Sequence, residues 1–158
     1  MLLRWLPKAA YGVVHEVTRH LLHRPVVGIA AVARTRDGRV VLIRRGDTGT
    51  WCLPGGTLEW GETLKAALGR ELEEEAGVVS YTMERVLGAW SRPDRDPRFH
   101  AVTLGVACVV EPPAKPPLNP LEIREVRLFA PDEVPASLAF EMHDILAAAQ
   151  AGGPAVLE

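Results

Sequence analysis

From Thr63 to Ala76 the sequence has the spacing of an amphipathic helix, yet it sets carboxylates where that pattern calls for core residues. At 100° per residue Leu64, Ala67 and Leu68 share one face, and Glu71 and Glu75 continue it. Both lie toward the helix C-terminus, where the macrodipole disfavours anions. Glu71 stands three residues from Glu74 and four from Glu75, so like charges meet across one turn. Each effect costs from a few tenths to about 1 kcal/mol, and all share a sign. Solvation explains Glu73, which points the other way, but not Glu71 and Glu75. A bound divalent cation explains them, because clustered hard carboxylate oxygens suit Mg2+ or Mn2+, completed by waters and substrate phosphates. Arg70, four residues before Glu74, is placed to hold and partly neutralise the cluster.

The remainder of the chain is ordinary by comparison. Its 158 residues, 47% apolar and 24% charged, read as one globular domain able to bury a full core. A net charge of −2 excludes a broad electrostatic footprint for nucleic acid. Cys52 and Cys108 make neither a disulfide framework nor a zinc site, which fits a reducing cytoplasm. Charged residues interrupt the first 24 positions too often for a signal peptide or a membrane span. Leu6, Ala10, Val13, Val17 and Leu21 recur there at helical spacing, so an amphipathic helix is expected over 1–24, packing on the domain or on a second subunit. The main domain is expected over 25–151.

Strand signals follow. Val26–Thr35 reads as a buried strand, Asp37-Gly38 as a hairpin turn and Arg39–Arg45 as the returning strand. Gly46–Glu62 reads as a glycine-rich loop, and Gly77 stands where a left-handed helix cap belongs. Val78–Tyr81, Val86–Ser91, Ala101–Val110 and Val126–Phe129 are expected as further strands, and Phe140–Gln150 as a closing helix. Five of the 13 prolines fall in Glu111–Pro120, an extended surface loop. The sum is a mixed α/β domain.

Gly56-Thr-Leu-Glu-Trp-Gly-Glu62, seven further residues, then Arg70-Glu71-Leu72-Glu73-Glu74-Glu75-Ala76-Gly77-Val78 resemble the Nudix box at every fixed position. The approach Trp51-Cys-Leu-Pro-Gly-Gly56 is also similar to that family. The resemblance implies an α/β/α sandwich with a mixed β-sheet and a Mg2+-dependent hydrolase of nucleoside diphosphates linked to another group, with Mn2+ able to substitute. By position, it implies Glu71, Glu74 and Glu75 as metal ligands, with the Gly55 carbonyl as a further one. It also implies that Arg70 orients the glutamates and that Glu62 completes the outer shell. Water then attacks a phosphorus of the pyrophosphate, with a base drawn from the box or from a later loop. Glu122 and Glu125 are the loop candidates, with solvated charge or pairing to Arg124 or Arg127 as the alternative.

The substrate is less constrained. Ser91-Arg-Pro-Asp-Arg-Asp-Pro-Arg98 packs three arginines, two aspartates and two prolines between apolar strands. Pro93, sixteen positions after Gly77, and the Asp96-Pro-Arg98 run resemble the ADP-ribose pyrophosphatase branch, although Phe99-His100 follows where a small residue is usual. Arg92, Pro93, Asp94, Arg95, Asp96 and Arg98 are therefore substrate-binding candidates, against a self-paired salt-bridge turn. On a strand, neighbours face opposite ways, so one of Arg44 and Arg45 is expected to look toward the site. Trp51 is read either as a base-stacking platform or as core edge.

The resulting expectation is a cytoplasmic enzyme that cleaves ADP-ribose or a related nucleoside diphosphate sugar to a nucleoside monophosphate and a sugar phosphate. Homodimerisation through residues 1–24 is expected, with neither nucleic-acid nor membrane partners. The alternatives are a (d)NTP pyrophosphohydrolase and a non-catalytic Nudix-like ligand-binding domain.

Overall fold

The computed structural model describes residues 17, 18 and 24–158. The helix expected over 1–24 lies outside the described residues, apart from Val17 and Thr18. A mixed eight-stranded sheet forms the frame: β1 (Val26–Thr35), β2 (Val40–Arg45), β3 (Trp51–Cys52), β4 (Gly55–Thr57), β5 (Tyr81–Trp90), β6 (Ala101–Val110), β7 (Ile123–Phe129) and β8 (Val156–Leu157). Among the described residues the α-helices α1 (Leu64–Ala76) and α2 (His143–Ala151) cover it.

β1 is the spine. It runs parallel to β6 along its whole length, from Val26↔Ala101 to Thr35↔Val110. Its other edge is shared: Arg34 pairs with Val40 of β2, while Gly28, Ile29 and Ala30 pair with β4. The β1–β2 hairpin splays beyond its turn, and β4 fills the gap. β2 continues outward to β3 and β7, and β6 to β5 and β8.

Alternation along the strands sorts the core into two layers. Ile29, Ala31 and Ala33 of β1 meet Ala67, Leu68, Leu72 and Ala76 of α1 on one face. Ala30 and Val32 meet Ile145, Leu146 and Ala149 near or within α2 on the other. This is the α/β/α sandwich expected. Thr63 caps α1 by accepting from the Ala66 amide, and Gly77 ends the helix at φ 65°. The proline-rich loop then returns across that end, where the Leu118 amide donates to the Glu74 carbonyl at 2.7 Å and Ala114 to Gly77 at 2.9 Å. Carbonyls that the helix leaves without partners are thereby satisfied.

Several boundaries differ from expectation. The last long strand begins at Ile123 rather than Val126, and the closing helix begins at His143 rather than Phe140, because Phe140 and Glu141 stand at φ 57° and 51°. Gly46–Glu62 is not wholly loop, since β3 and β4 lie within it; they are too short for a periodicity signal. Val78–Ser80 is not strand, and Tyr81–Trp90 is one strand with irregular register at Met83/Arg85 and Val86/Gly88. The folded body also extends past residue 151: β8 adds to β5, pairing Gly88 with Val156 and Ala89 with Leu157.

Candidate active site

The first and last glutamates of the α1 cluster are brought to the sheet by the residues between them. Leu72 is fully buried between them, so Glu71 and Glu75 are carried against β4 with only 8% and 7% of their surfaces exposed. Glu75 Oε2 accepts a 2.8 Å hydrogen bond from the Gly55 amide. Glu71 lies so close to Gly56 that a Cβ there would stand 2.2 Å from Oε1. Glycine at 56 is thus a requirement of the carboxylate's approach.

Arg70 organises the outer side. Its Nε and Nη2 donate to the two carboxylate oxygens of Glu62 at 3.0 and 3.1 Å, and Nη1 donates to Glu71 at 2.8 Å. Nη2 also reaches the Thr57 carbonyl at 3.2 Å, while Glu74 is held loosely at 3.5 Å and is more exposed. Hydrogen bonds from Arg70 hold the Glu62 carboxyl below its ordinary range. Glu71 and Glu75 move the other way. Burial pushes both up, and Glu75 reaches about 8 because the single Gly55 bond and Arg45 do not offset burial and the charges of Glu71 and Glu122.

The charge of Glu122 raises both glutamates, and its loop is clamped to Gly46 at the end of β2. The Gly46 amide donates to the Glu122 carbonyl at 2.6 Å, and a Cβ at Gly46 would lie 2.0 Å from the Leu121 carbonyl oxygen. Glu125 is turned to solvent beside Arg44, 3.6 Å away.

The donor set fits a hard divalent cation. Two carboxyl groups are buried together with little positive charge to favour their ionised forms, which a cation would supply, and their ligating atoms are oxygens. Among the described residues no three groups stand together as a finished cage. Arg70 draws Glu71 and Glu74 outward while Gly55 holds Glu75, so a cation competes with those contacts for the oxygens.

β4 is shared with a cavity of about 690 Å3, counted to its open mouth. Gly55, Gly56 and Thr57 form one wall, Arg45, Arg95, Asp96 and Arg98 supply charge, and Trp90, Phe99, Phe140 and Met142 supply apolar surface.

The NUDIX domain model matches residues 22–149. The chain belongs to the Nudix family. It is similar to an ADP-ribose pyrophosphatase of Methanocaldococcus jannaschii, 38% identical over 89 residues, which span 54% of this chain and 51% of that protein. It is also similar to a MutT-like protein of Streptomyces ambofaciens, 35% identical over 78% of this chain and 75% of the relative. A MutT Nudix hydrolase structure from Burkholderia pseudomallei superposes with a TM-score of 0.63 at 30% identity, covering 80% of this chain and 97% of that one.

The other expected residues of this Nudix domain divide. Arg45 lines the cavity; its Nε and Nη2 are held by Asp47 at 2.9 and 2.7 Å, and its guanidinium lies 5.4 Å from the Phe140 ring centre. Arg44 is exposed, bonded to the Gly49 carbonyl, and does not line the cavity. The 92–98 arginines are all internally paired. Arg98 is held by Asp96 through Nε and Nη2 at 2.9 and 2.7 Å and lies 4.8 Å from the Phe140 ring centre. Arg92 pairs with Asp94 and Glu141, and neither it nor Pro93 nor Asp94 lines the cavity. Arg95 is buried among Glu158, Asp144 and the Phe140 and Glu141 carbonyls. The self-paired turn describes much of this loop, and only Asp96 and Arg98 present it to the cavity alongside the buried Arg95.

Trp51 packs edge-on against Phe129 at 4.9 Å, the core-edge alternative. Cys52 and Cys108 are buried free thiols. Phe140 and Glu158 were missed from sequence: a lone phenylalanine and a glutamate 60 residues from its partner loop carry no motif.

Proposed function

We propose that this chain is a Mg2+-dependent hydrolase that cleaves the pyrophosphate of ADP-ribose or a related nucleoside diphosphate sugar. Nucleoside monophosphate and sugar phosphate are the products. The observation that carries this reading is the juxtaposition of the buried Glu71 and Glu75 carboxylates with the arginine-bearing cavity across β4. The relative named ADP-ribose pyrophosphatase supports the substrate class.

Glu71, Glu74 and Glu75, with the Gly55 carbonyl, would hold the cation. When bound, it would lower the pKa of water and neutralise charge on the phosphoryl oxygens. The chain's own groups do the rest. Arg70 keeps Glu71 and Glu74 oriented, and Glu62 keeps Arg70 in place. Arg45 and Arg98, pre-set by Asp47 and Asp96, offer their remaining Nη1 groups to substrate oxygens. A water oxygen bonds to one phosphorus, the bridging P–O bond breaks, and the water's proton passes to a carboxylate. Glu122, whose loop is tied to Gly46 and whose charge reaches the pair, is the loop candidate for that base. We place the protein in the cytoplasm and assign residues 1–24 to homodimerisation. Light scattering on a chain lacking them tests the latter, and an unchanged mass contradicts it.

A second reading, hydrolysis of nucleoside triphosphates, is favoured by the internal pairing of Arg92, Arg95 and Arg98 and by the MutT-like relative. Chromatography of products from ADP-ribose, other nucleoside diphosphate sugars and dNTPs separates the two. AMP with ribose 5-phosphate supports the first, and pyrophosphate released from a dNTP supports the second.

A further inference from the structure

We propose that Arg95 and Glu158 form a positioning device for the cavity wall, so that the 156–158 segment belongs to the substrate-binding apparatus. This rests on the reading above only for the identity of the substrate.

Three separated pieces of chain converge on this pair. Glu158 accepts hydrogen bonds from Arg95 Nε at 2.9 Å and Nη2 at 2.6 Å, and from the amides of Ser91 and Arg92 at 2.9 Å each. Ser91 Oγ donates to the Glu158 carbonyl at 3.1 Å. One carboxylate thus closes the start of the 91–98 loop against β8. That contact holds the Glu158 carboxyl at about 2, so it is charged across the working range.

The far side of Arg95 grips a strained turn. Phe140 and Glu141 are consecutive non-glycine residues at φ 57° and 51°, a conformation that persists only where its surroundings enforce it. Arg95 Nη1 donates to the Glu141 carbonyl at 3.0 Å and to that of Phe140 at 3.5 Å. The turn aims the Phe140 ring at the cavity, where the guanidiniums of Arg45 and Arg98 lie against it. Arg95 is therefore a positioning residue. It links the Glu158 segment to a ring and an arginine that a ligand meets, and its own donors are already engaged.

The test compares Glu158→Gln, Glu158→Asp and Arg95→Lys in the full chain. Steady-state kinetics on ADP-ribose, melting temperature and tryptic cleavage after Arg95 and Arg98 are read together; Arg92 is protected because Pro93 follows it. Losing preorganisation raises KM about tenfold in Glu158→Gln and Arg95→Lys, with kcat within about twofold and Glu158→Asp intermediate. Cleavage after Arg95 or Arg98 accelerates in Glu158→Gln at temperatures where the fold is intact. A lowered melting temperature with unchanged KM and unchanged cleavage overturns the proposal and leaves a structural contact only. If the unmodified chain hydrolyses no diphosphate, the functional reading fails by itself. Cleavage rates then decide the positioning claim, and equal rates in the unmodified chain and Glu158→Gln overturn it.

Discussion

The amide of Gly55 donates to Glu75 Oε2 at 2.8 Å, tying the strand that enters the Nudix box to the last glutamate of its helix. It is the one hydrogen bond found for that carboxylate among the described residues, against burial and two neighbouring anions. The carboxyl is consequently raised to about 8.

A pH dependence follows with a definite sign. A carboxyl raised on folding stabilises the folded state when protonated. That contribution is complete below about 4.5 and is lost as pH rises through about 8. Thermal melts of metal-free protein are therefore expected to show falling stability between pH 5 and pH 8, and Glu75→Gln to flatten that slope. Adding Mg2+ at pH 7 restores stability and releases protons, which calorimetry in buffers of different ionisation enthalpy detects.

Removing Arg70 leaves Glu71 buried without its partner. Arg70→Ala is expected to lose about 3 kcal/mol of stability, the range for orphaning one member of a buried ion pair. Urea unfolding in the absence of metal measures this. Arg70→Lys recovers only part, since a single ammonium does not reproduce the fork to Glu62 with the separate bond to Glu71.

Gly56→Ala places a methyl group against Glu71. Displacing that carboxylate by the order of 1 Å is expected to cost about 100-fold in kcat/KM. Circular dichroism checks that the sheet remains.

Arg98→Met and Arg92→Met separate the cavity wall from the rest of its loop. Both arginines are paired with aspartates, but only Arg98 lines the cavity. KM for the preferred substrate is expected to rise about tenfold in Arg98→Met, the loss of one charge-assisted hydrogen bond, and to be unchanged within twofold in Arg92→Met.

Much of the fold and of the glutamate site was legible because local chemistry specifies it. β1 is apolar from Val26 to Ala33 and rich in β-branched residues, and α1 carries a cap, a left-handed glycine stop and a periodic face on which Glu71 and Glu75 stand out. Arg45 against Arg44 follows the strand's alternation. The parts that were not legible are those fixed at a distance. β3 and β4 are two and three residues long and exist because the β1–β2 hairpin opens and leaves edges to pair. Arg95 has the composition of a substrate arginine, and its capture by Glu158 depends on β8 adding to β5, which two apolar residues do not announce. The Phe140 turn is gripped by Arg95 from a distant part of the chain, so its conformation has no local signature.

The most direct test of the account is AMP formation from ADP-ribose with Mg2+, measured by chromatography for the unmodified chain and for Glu75→Gln. The account predicts AMP and ribose 5-phosphate in equal amounts from the unmodified chain, and at least a 100-fold loss in the variant with the fold retained. Equal turnover by both proteins contradicts the assignment of the box glutamates. No turnover by the unmodified chain contradicts the substrate.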